Sequence, residues 1–268
     1  MSESCPIVSI ITPNFNGSRF LRQTIESVLA QSFENWEMLI VDDGSTDGSQ
    51  KIIEEYTLFD KRIKFLKTDT IKFAKLCNGP AAPRNTAIDA ARGRYIAFLD
   101  SDDIWHKEKL AKQLSFFQSN NYALTYTWYF IMSQEGKNVG AHEPYPLKQS
   151  YKDLLKECKM GCSSTMYDTN IVGKQYIDMN EFDQGADYSL WLKITKAGYD
   201  SYCLREKLSS YRLVKNSISA NKIKAIKQQW RILRQVEKLN FSVAVYNFSF
   251  YAVLGIIKKI KYIPLRFL

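Results

Sequence analysis

The sequence predicts an α/β fold, a mostly parallel sheet flanked by helices, with a basic helical extension at the C-terminal end. Three observations carry this expectation. Short apolar runs alternate with helically spaced ones through the first hundred residues, which is the pattern of βαβ units. The clusters PNFN, DDGSTDGS and DSDD each follow an apolar run, as loops at the carboxyl ends of parallel strands do. Charge is segregated as well. The net charge is +9, yet residues 212–268 hold 12 Lys or Arg against one acid, Glu237, which leaves +11 there and −2 on residues 1–211.

In chain order, residues 8–12 read as a first strand, and Phe20, Leu21, Ile25, Val28 and Leu29 recur at helical spacing within 18–31. Residues 38–41 form a second buried strand, followed by a helix carrying Ile52, Ile53 and Tyr56 on one face. A third strand at 62–67 leads to a helix at 83–91 with Gly93 as its stop, then a fourth strand at 95–99. Residues 107–118 read as an amphipathic helix, and 122–132 as a long aromatic strand entering the polar turn SQEGKN. The stretch 187–197 places Leu190, Trp191 and Ile194 on one helical face, with Asp187 at its start and Gly198 as its stop.

With 45% hydrophobic residues, the chain can bury a sizeable core as one large domain, or as one domain with an appendage. The expected division is a catalytic domain over 1–213 and a basic helical extension over 214–268. Five cysteines (Cys5, Cys77, Cys158, Cys162 and Cys203) include no CxxC pair, and the start has no basic, long-hydrophobic leader, so a reduced, cytosolic chain is expected. His106 and His142, read as ordinary surface residues, leave little material for a zinc site or a Ser-His triad. No GxxxxGK loop and no EF-hand spacing occur. No nucleic-acid recognition motif stands behind the basic tail, so no nucleic-acid partner is expected.

Asp100 and Asp102 stand two residues apart, so in an extended segment they point to one side, as two hard oxygen ligands for Mg²⁺ or Mn²⁺ would. A solvated acidic turn accounts for the same residues. So few carboxylates leave positions on such an ion for substrate phosphates.

The ordered segments VSIITPNFN, SVLAQSFENWEMLIVDDGSTDGS, PRNTAIDAARGRYIAFLDSDDIW and ADYSLWLKITKAGY resemble the family 2 glycosyltransferases over about residues 6–213. Within that family they most resemble bacterial members that build capsule, O-antigen or teichuronic-acid polysaccharides. The resemblance implies a GT-A fold and nucleotide-sugar contacts at Pro13, Phe15, Asn16, Asp43, Arg84, Asp100, Ser101, Tyr211 and Arg212. Phe15 would stack on uracil and Asp43 would accept the uracil N3 hydrogen, which favours a UDP-sugar donor. Core packing for Phe15 and a helix-surface salt bridge for Arg84 are the plainer alternatives. The resemblance further implies metal held by Asp102, with Asp100 nearer the ribose or a metal-bound water, while Asp103 caps the next helix or supports the loop. Asp187 matches the family's general base for an inverting displacement.

Most relatives carry Glu-Asp where this chain has Ala186 and Asp187. A helix N-cap role for Asp187 and Asp183 as substitute base therefore stay open, as does a catalytically silent nucleotide-sugar-binding subunit of a polysaccharide synthesis complex. The acceptor implied is lipid-linked or a growing polysaccharide. The uncharged run 239–257 and the basic stretch 222–238 are consistent with docking on an anionic membrane surface at the inner face of the cell membrane. A membrane span and plain packing on the catalytic domain are the alternatives.

Overall fold

The computed structural model describes residues 5–69, 72–73, 79–178, 185–214 and 222–261, with the side chains of the last segment covered over 223–255. Strands β1 (Val8–Asn14) and β2 (Trp36–Asp42) are buried at every position, as parallel strands covered on both faces are. Both run past the apolar segment that announces them. Asn14 pairs with Asp42 in the ladder, and Asn14 Nδ2 donates to Asp42 Oδ1 at 2.8 Å, so two polar residues can end the strands without losing their partners.

Between them lies α1 (Ser18–Leu29), and α2 (Ser49–Phe59) leads to β3 (Ile63–Lys67). Helix α3 (Ala81–Ala90) starts two residues before the expected position, because Pro83 sits in its first turn, where a missing N–H costs no hydrogen bond. Gly93 is not its stop. The chain is already extended at Ala91, and a Cβ on Gly93 would stand 2.6 Å from the Ser9 nitrogen, so glycine is required there for close packing on β1. Next come β4 (Tyr95–Phe98), β5 (Ile104–Trp105), α4 (Lys109–Asn120) and β6 (Leu124–Met132), which turns at SQEGKN into β7 (Asn138–His142). Strand β8 (Lys148–Gln149), α5 (Tyr151–Lys156), β9 (Met166–Asp168), α6 (Thr169–Val172), α7 (Ala186–Lys196) and β10 (Ser201–Arg212) complete the sheet and its cover.

The main strand path runs β3-β2-β1-β4-β9-β6-β10-β5, with β7 on β6 and β8 on β10. Pairings are parallel from β3 to β4 and between β6 and β10, while β9 runs antiparallel to β4 and β6. Alternating side chains feed two cores. Ile10, Met38 and Ile40 pack with Leu21, Ile25 and Leu114 on one face, and Ile11, Leu39 and Val41 pack with Ile88, Phe98 and Trp191 on the other.

The C-terminal extension forms α8 (Lys222–Arg231), a π-helical turn over Ile232–Val236 and α9 (Phe241–Lys261). Ile232, Leu233 and Ala244 are buried in the same cluster as Phe98 and Trp191. The buried Glu237 carboxylate accepts from Tyr151 Oη at 2.5 Å and Lys196 Nζ at 2.7 Å. Among the described residues no helix is long and apolar enough to cross a membrane. The histidines are half-buried rather than surface residues, His106 stacked on Phe130 and His142 on Tyr129. Cys5, Cys158, Cys162 and Cys203 are free thiols, and Cys77 lies outside the described residues.

Candidate functional site

The carboxyl ends of β1, β2 and β4 open onto a cavity of about 1230 Å³, closed on its other sides by the 160–164 loop, the start of α7, and residues of β6, β10 and α8. Of the candidate residues, Pro13, Phe15, Asn16, Asp43, Arg84, Asp100, Ser101, Asp102, Asp187 and Tyr211 line it. Arg212 does not.

The loop after β1 presents Phe15 with 62% of its surface exposed, which removes core packing as its role. Asn16 adopts φ 50°, a left-handed conformation that Asn tolerates, and its Oδ1 accepts from the Thr46 N–H at 2.9 Å, so its side chain clasps the neighbouring loop. Gly17 is required by close approach: a Cβ there would lie 2.3 Å from Asn14 Oδ1 and 3.1 Å from Ser101 Oγ. Of the two acids after β2, Asp42 is buried and accepts from Asn14, Ser45 and Gln50, which together hold its carboxyl below the usual range against the cost of burial. Asp43 is the one that lines the cavity, with Thr68 Oγ1 donating to its Oδ1 at 2.8 Å.

The DSD segment is not extended. The Asp103 N–H donates to the Asp100 carbonyl at 3.1 Å, so 100–103 is a tight turn, and it is the turn that brings the Asp100 and Asp102 carboxylates together. Asp102 is half-buried, and burial, reinforced by the charge of Asp100, pushes its pKa up to about 6. Asp103 is fully buried and does not cap α4. Its carboxylate accepts from Ser163 Oγ at 2.5 Å and from the Arg212 N–H at 2.9 Å, while burial and the two neighbouring acids raise its pKa. Ser163 Oγ also accepts the Asp100 N–H at 3.1 Å, and Trp105 Nε1 donates to the Ser163 carbonyl at 2.7 Å. Arg212 is buried behind the turn, its Nε donating to the Asp102 carbonyl at 2.8 Å and one Nη to Gln23 Oε1 at 2.8 Å. It braces the turn from outside the cavity.

Arg84 is buried in the first turn of α3 and pairs with Asp100, which excludes the surface salt bridge. Burial opposes its charge, but Asp100 and then Asp187 outweigh this and raise its pKa. Asp187 is half-buried in the first turn of α7. The N-cap is Gly185 and no side chain caps the helix, so Asp187 is not an N-cap. Burial raises its pKa, and the charge of Arg84 partly offsets this. Ala186 brings no charge and is buried in the core. Asp183 lies outside the described residues.

Cys162 also lines the cavity, its thiol pKa raised by burial despite Arg84. Cys162, Ser163, Thr68, Tyr129 and Arg19 gave no signal in the sequence, because each comes from an irregular segment or a position without a motif. Among the described residues no group of three or more His, Cys, Asp or Glu is placed to hold a metal ion. Two crowded carboxylates on the wall of this cavity fit a divalent cation that draws its remaining ligands from a diphosphate and water.

The glycosyl transferase family 2 model matches residues 9–175. The chain is 40% identical over 95% of its length to TuaG of Bacillus subtilis (strain 168), named for teichuronic acid biosynthesis, covering 98% of that protein. It is 39% identical over 94% of its length to WfgD of Escherichia coli, a UDP-Glc:alpha-D-GlcNAc-diphosphoundecaprenol beta-1,3-glucosyltransferase, covering 94% of that protein. In structure it is similar to S. aureus TarS residues 1–349 in complex with UDP, with a TM-score of 0.63 and 19% identity over 91% of this chain and 70% of that one. It is also similar to the mannosyltransferase PcManGT of Pyrobaculum calidifontis in complex with GDP-Man and Mn²⁺, with a TM-score of 0.63 and 13% identity over 98% and 83% of the two chains.

Proposed function

The chain belongs to glycosyl transferase family 2, and on that premise we propose that it transfers a sugar, with inversion, from a UDP-sugar to a hydroxyl of a lipid-linked or growing surface-polysaccharide acceptor at the inner face of the cell membrane. One observation carries the reading. The paired carboxylates of the DSD turn and the half-buried Asp187 line one cavity, and Arg84 interacts with both.

Phe15 offers an exposed ring for the base and Asp43 a carboxylate that accepts the uracil N3 hydrogen, a hydrogen that cytosine lacks. Asp102 and Asp100 would hold Mg²⁺ or Mn²⁺, which when bound neutralises charge on the leaving diphosphate. Asp187 takes the proton of the acceptor hydroxyl as its oxygen bonds to the anomeric carbon. The bond from that carbon to the diphosphate oxygen breaks, and UDP leaves with the electron pair. Burial raises the pKa of Asp187 and so makes its carboxylate a stronger base than one in water. Arg84 is opposite in sign to the acid that most relatives carry where this chain has Ala186, and it partly offsets the rise in the Asp187 pKa.

A panel of UDP-sugars, assayed for UDP release with EDTA and with added Mg²⁺ or Mn²⁺, tests the reading. Cation-dependent release from at least one donor is expected, together with selective binding of UDP over CDP. Equal affinity for UDP and CDP would contradict the base contact, and release unaffected by EDTA would contradict the metal assignment.

A further inference from the structure

Lys109, the first residue of α4, is fully buried, and its Nζ has no hydrogen-bond partner among the described residues. Lysine is almost never buried whole without a partner, and burial here pushes its pKa down. Lys112, one turn on, shows the ordinary arrangement, exposed and paired with Glu206. Methionine would fill the space of Lys109 without taking an amine out of water. The fold therefore keeps a group that costs it stability.

What the amine meets is Trp105. Lys109 follows that residue by four positions, and its N–H donates to the His106 carbonyl at 2.9 Å, so the chain turns tightly and sets Nζ 3.8 Å from the centre of the indole ring. The electron-rich ring face attracts a positive group there. Trp105 is buried as well, and its two donors reach different segments: the backbone N–H meets Ser27 Oγ on α1 at 3.1 Å, and Nε1 meets the Ser163 carbonyl at 2.7 Å. The second bond is at the short end for N–H···O. Positive charge over the ring draws electron density from it and strengthens Nε1–H as a donor. Ser163 then accepts the Asp100 N–H at 3.1 Å and donates to the Asp103 carboxylate at 2.5 Å. The line from Lys109 through Trp105 and Ser163 thus ends on both sides of Asp102.

We propose that Lys109 is a positioning residue of the cation site: its amine holds the Trp105 indole, the indole fixes Ser163, and Ser163 fixes the turn that carries Asp100 and Asp102. It touches neither the substrate nor the cation. The inference rests on the metal assignment of the proposed function and adds to it a residue outside the cavity.

The test is Lys109→Met in the full chain, with three readouts. Urea unfolding in EDTA should find the variant at least as stable as wild type, because an amine without a hydrogen bond gives way to a thioether of similar length. In metal-free, ¹⁵N-labelled protein the Trp105 indole N–H signal, identified by its loss in Trp105→Phe, should move upfield and exchange with water about tenfold faster. Mn²⁺ binding in the presence of UDP, followed by electron paramagnetic resonance, should weaken by about 5–20-fold, the lower part of the range for removing a group behind a metal ligand. UDP affinity in EDTA should stay within about twofold, and in a Trp105→Phe background the substitution should change Mn²⁺ affinity by less than about twofold, since the two residues act as one unit. Unchanged Mn²⁺ affinity, or an unchanged indole signal, would overturn the assignment. A loss of stability that accompanies the loss of Mn²⁺ affinity would make Lys109 a core-packing residue and overturn it too. A wild-type chain that binds no Mn²⁺ with UDP would overturn the metal assignment itself, and the positioning role with it.

Discussion

Asp102→Asn should make the metal-free protein more stable at neutral pH while removing its response to divalent cations. Burial and the charge of Asp100 push the Asp102 carboxyl up to about 6, against roughly 3.9 in an unfolded chain. The folded-state pKa is the higher one, so this group's contribution to stability is complete below about pH 4 and is lost as pH rises through 6. A shift of about two units corresponds to about 3 kcal/mol, and the partial solvent access of the side chain lowers the expected penalty to about 1–3 kcal/mol. Asparagine carries no charge at any pH and escapes it. Urea unfolding in EDTA at pH 5 and pH 8 reads this directly: the variant should gain on wild type by about half of that amount between the two pH values, the rest of the loss falling below pH 5. Adding Mn²⁺ with UDP at pH 8 should then stabilise wild type and leave the variant unmoved. Equal stability of the two proteins at pH 8, with the same response to Mn²⁺ and UDP, would show that Asp102 is neither strained by burial nor a ligand.

Ser163→Ala removes the donor to Asp103 and the acceptor for the Asp100 N–H, so it should cost about 2–4 kcal/mol of stability. It should also raise the metal concentration needed for half-maximal activity by about 10–100-fold, read by titrating Mn²⁺ at saturating donor. Asp43→Ala should weaken UDP binding by about tenfold and leave CDP binding unchanged, measured by calorimetry. Leu233→Ala should lower unfolding stability by about 2–5 kcal/mol, since this residue is fully buried in the core shared with Trp191. A loss under 1 kcal/mol would mean that the extension is not part of the domain's cooperative unit.

Much of the fold was legible because parallel strands need continuous apolar runs and their helices need spaced ones. Val8, Ile10 and Ile11 announce β1 whatever surrounds them. Its last two residues were not legible, because Asn14 reads as a turn residue until its partner Asp42 is known to lie beside it. The candidate site followed the same rule. Residues in contiguous motifs, such as Phe15, Asp43, Asp102 and Asp187, line one cavity. Where the geometry was inferred from local conformation alone it was wrong: Asp100 and Asp102 share a tight turn, not a strand face. Pairings across long separations were not legible. Ser163 reaches Asp103 across 60 positions, and Arg212 meets the Asp102 carbonyl across 110, so no local pattern marks either pairing.

Whether Asp187 is the base is decided by sugar transfer in Asp187→Asn, measured with UDP-sugar affinity in the same preparation. The amide keeps the size and polarity of the carboxylate, but it cannot take the acceptor's proton. Donor affinity should stay within about threefold of wild type while transfer falls by about 10²–10⁴-fold, the range general base catalysis supplies. Turnover close to wild type in a variant that still binds the donor would place the base elsewhere and remove the mechanism proposed for this cavity.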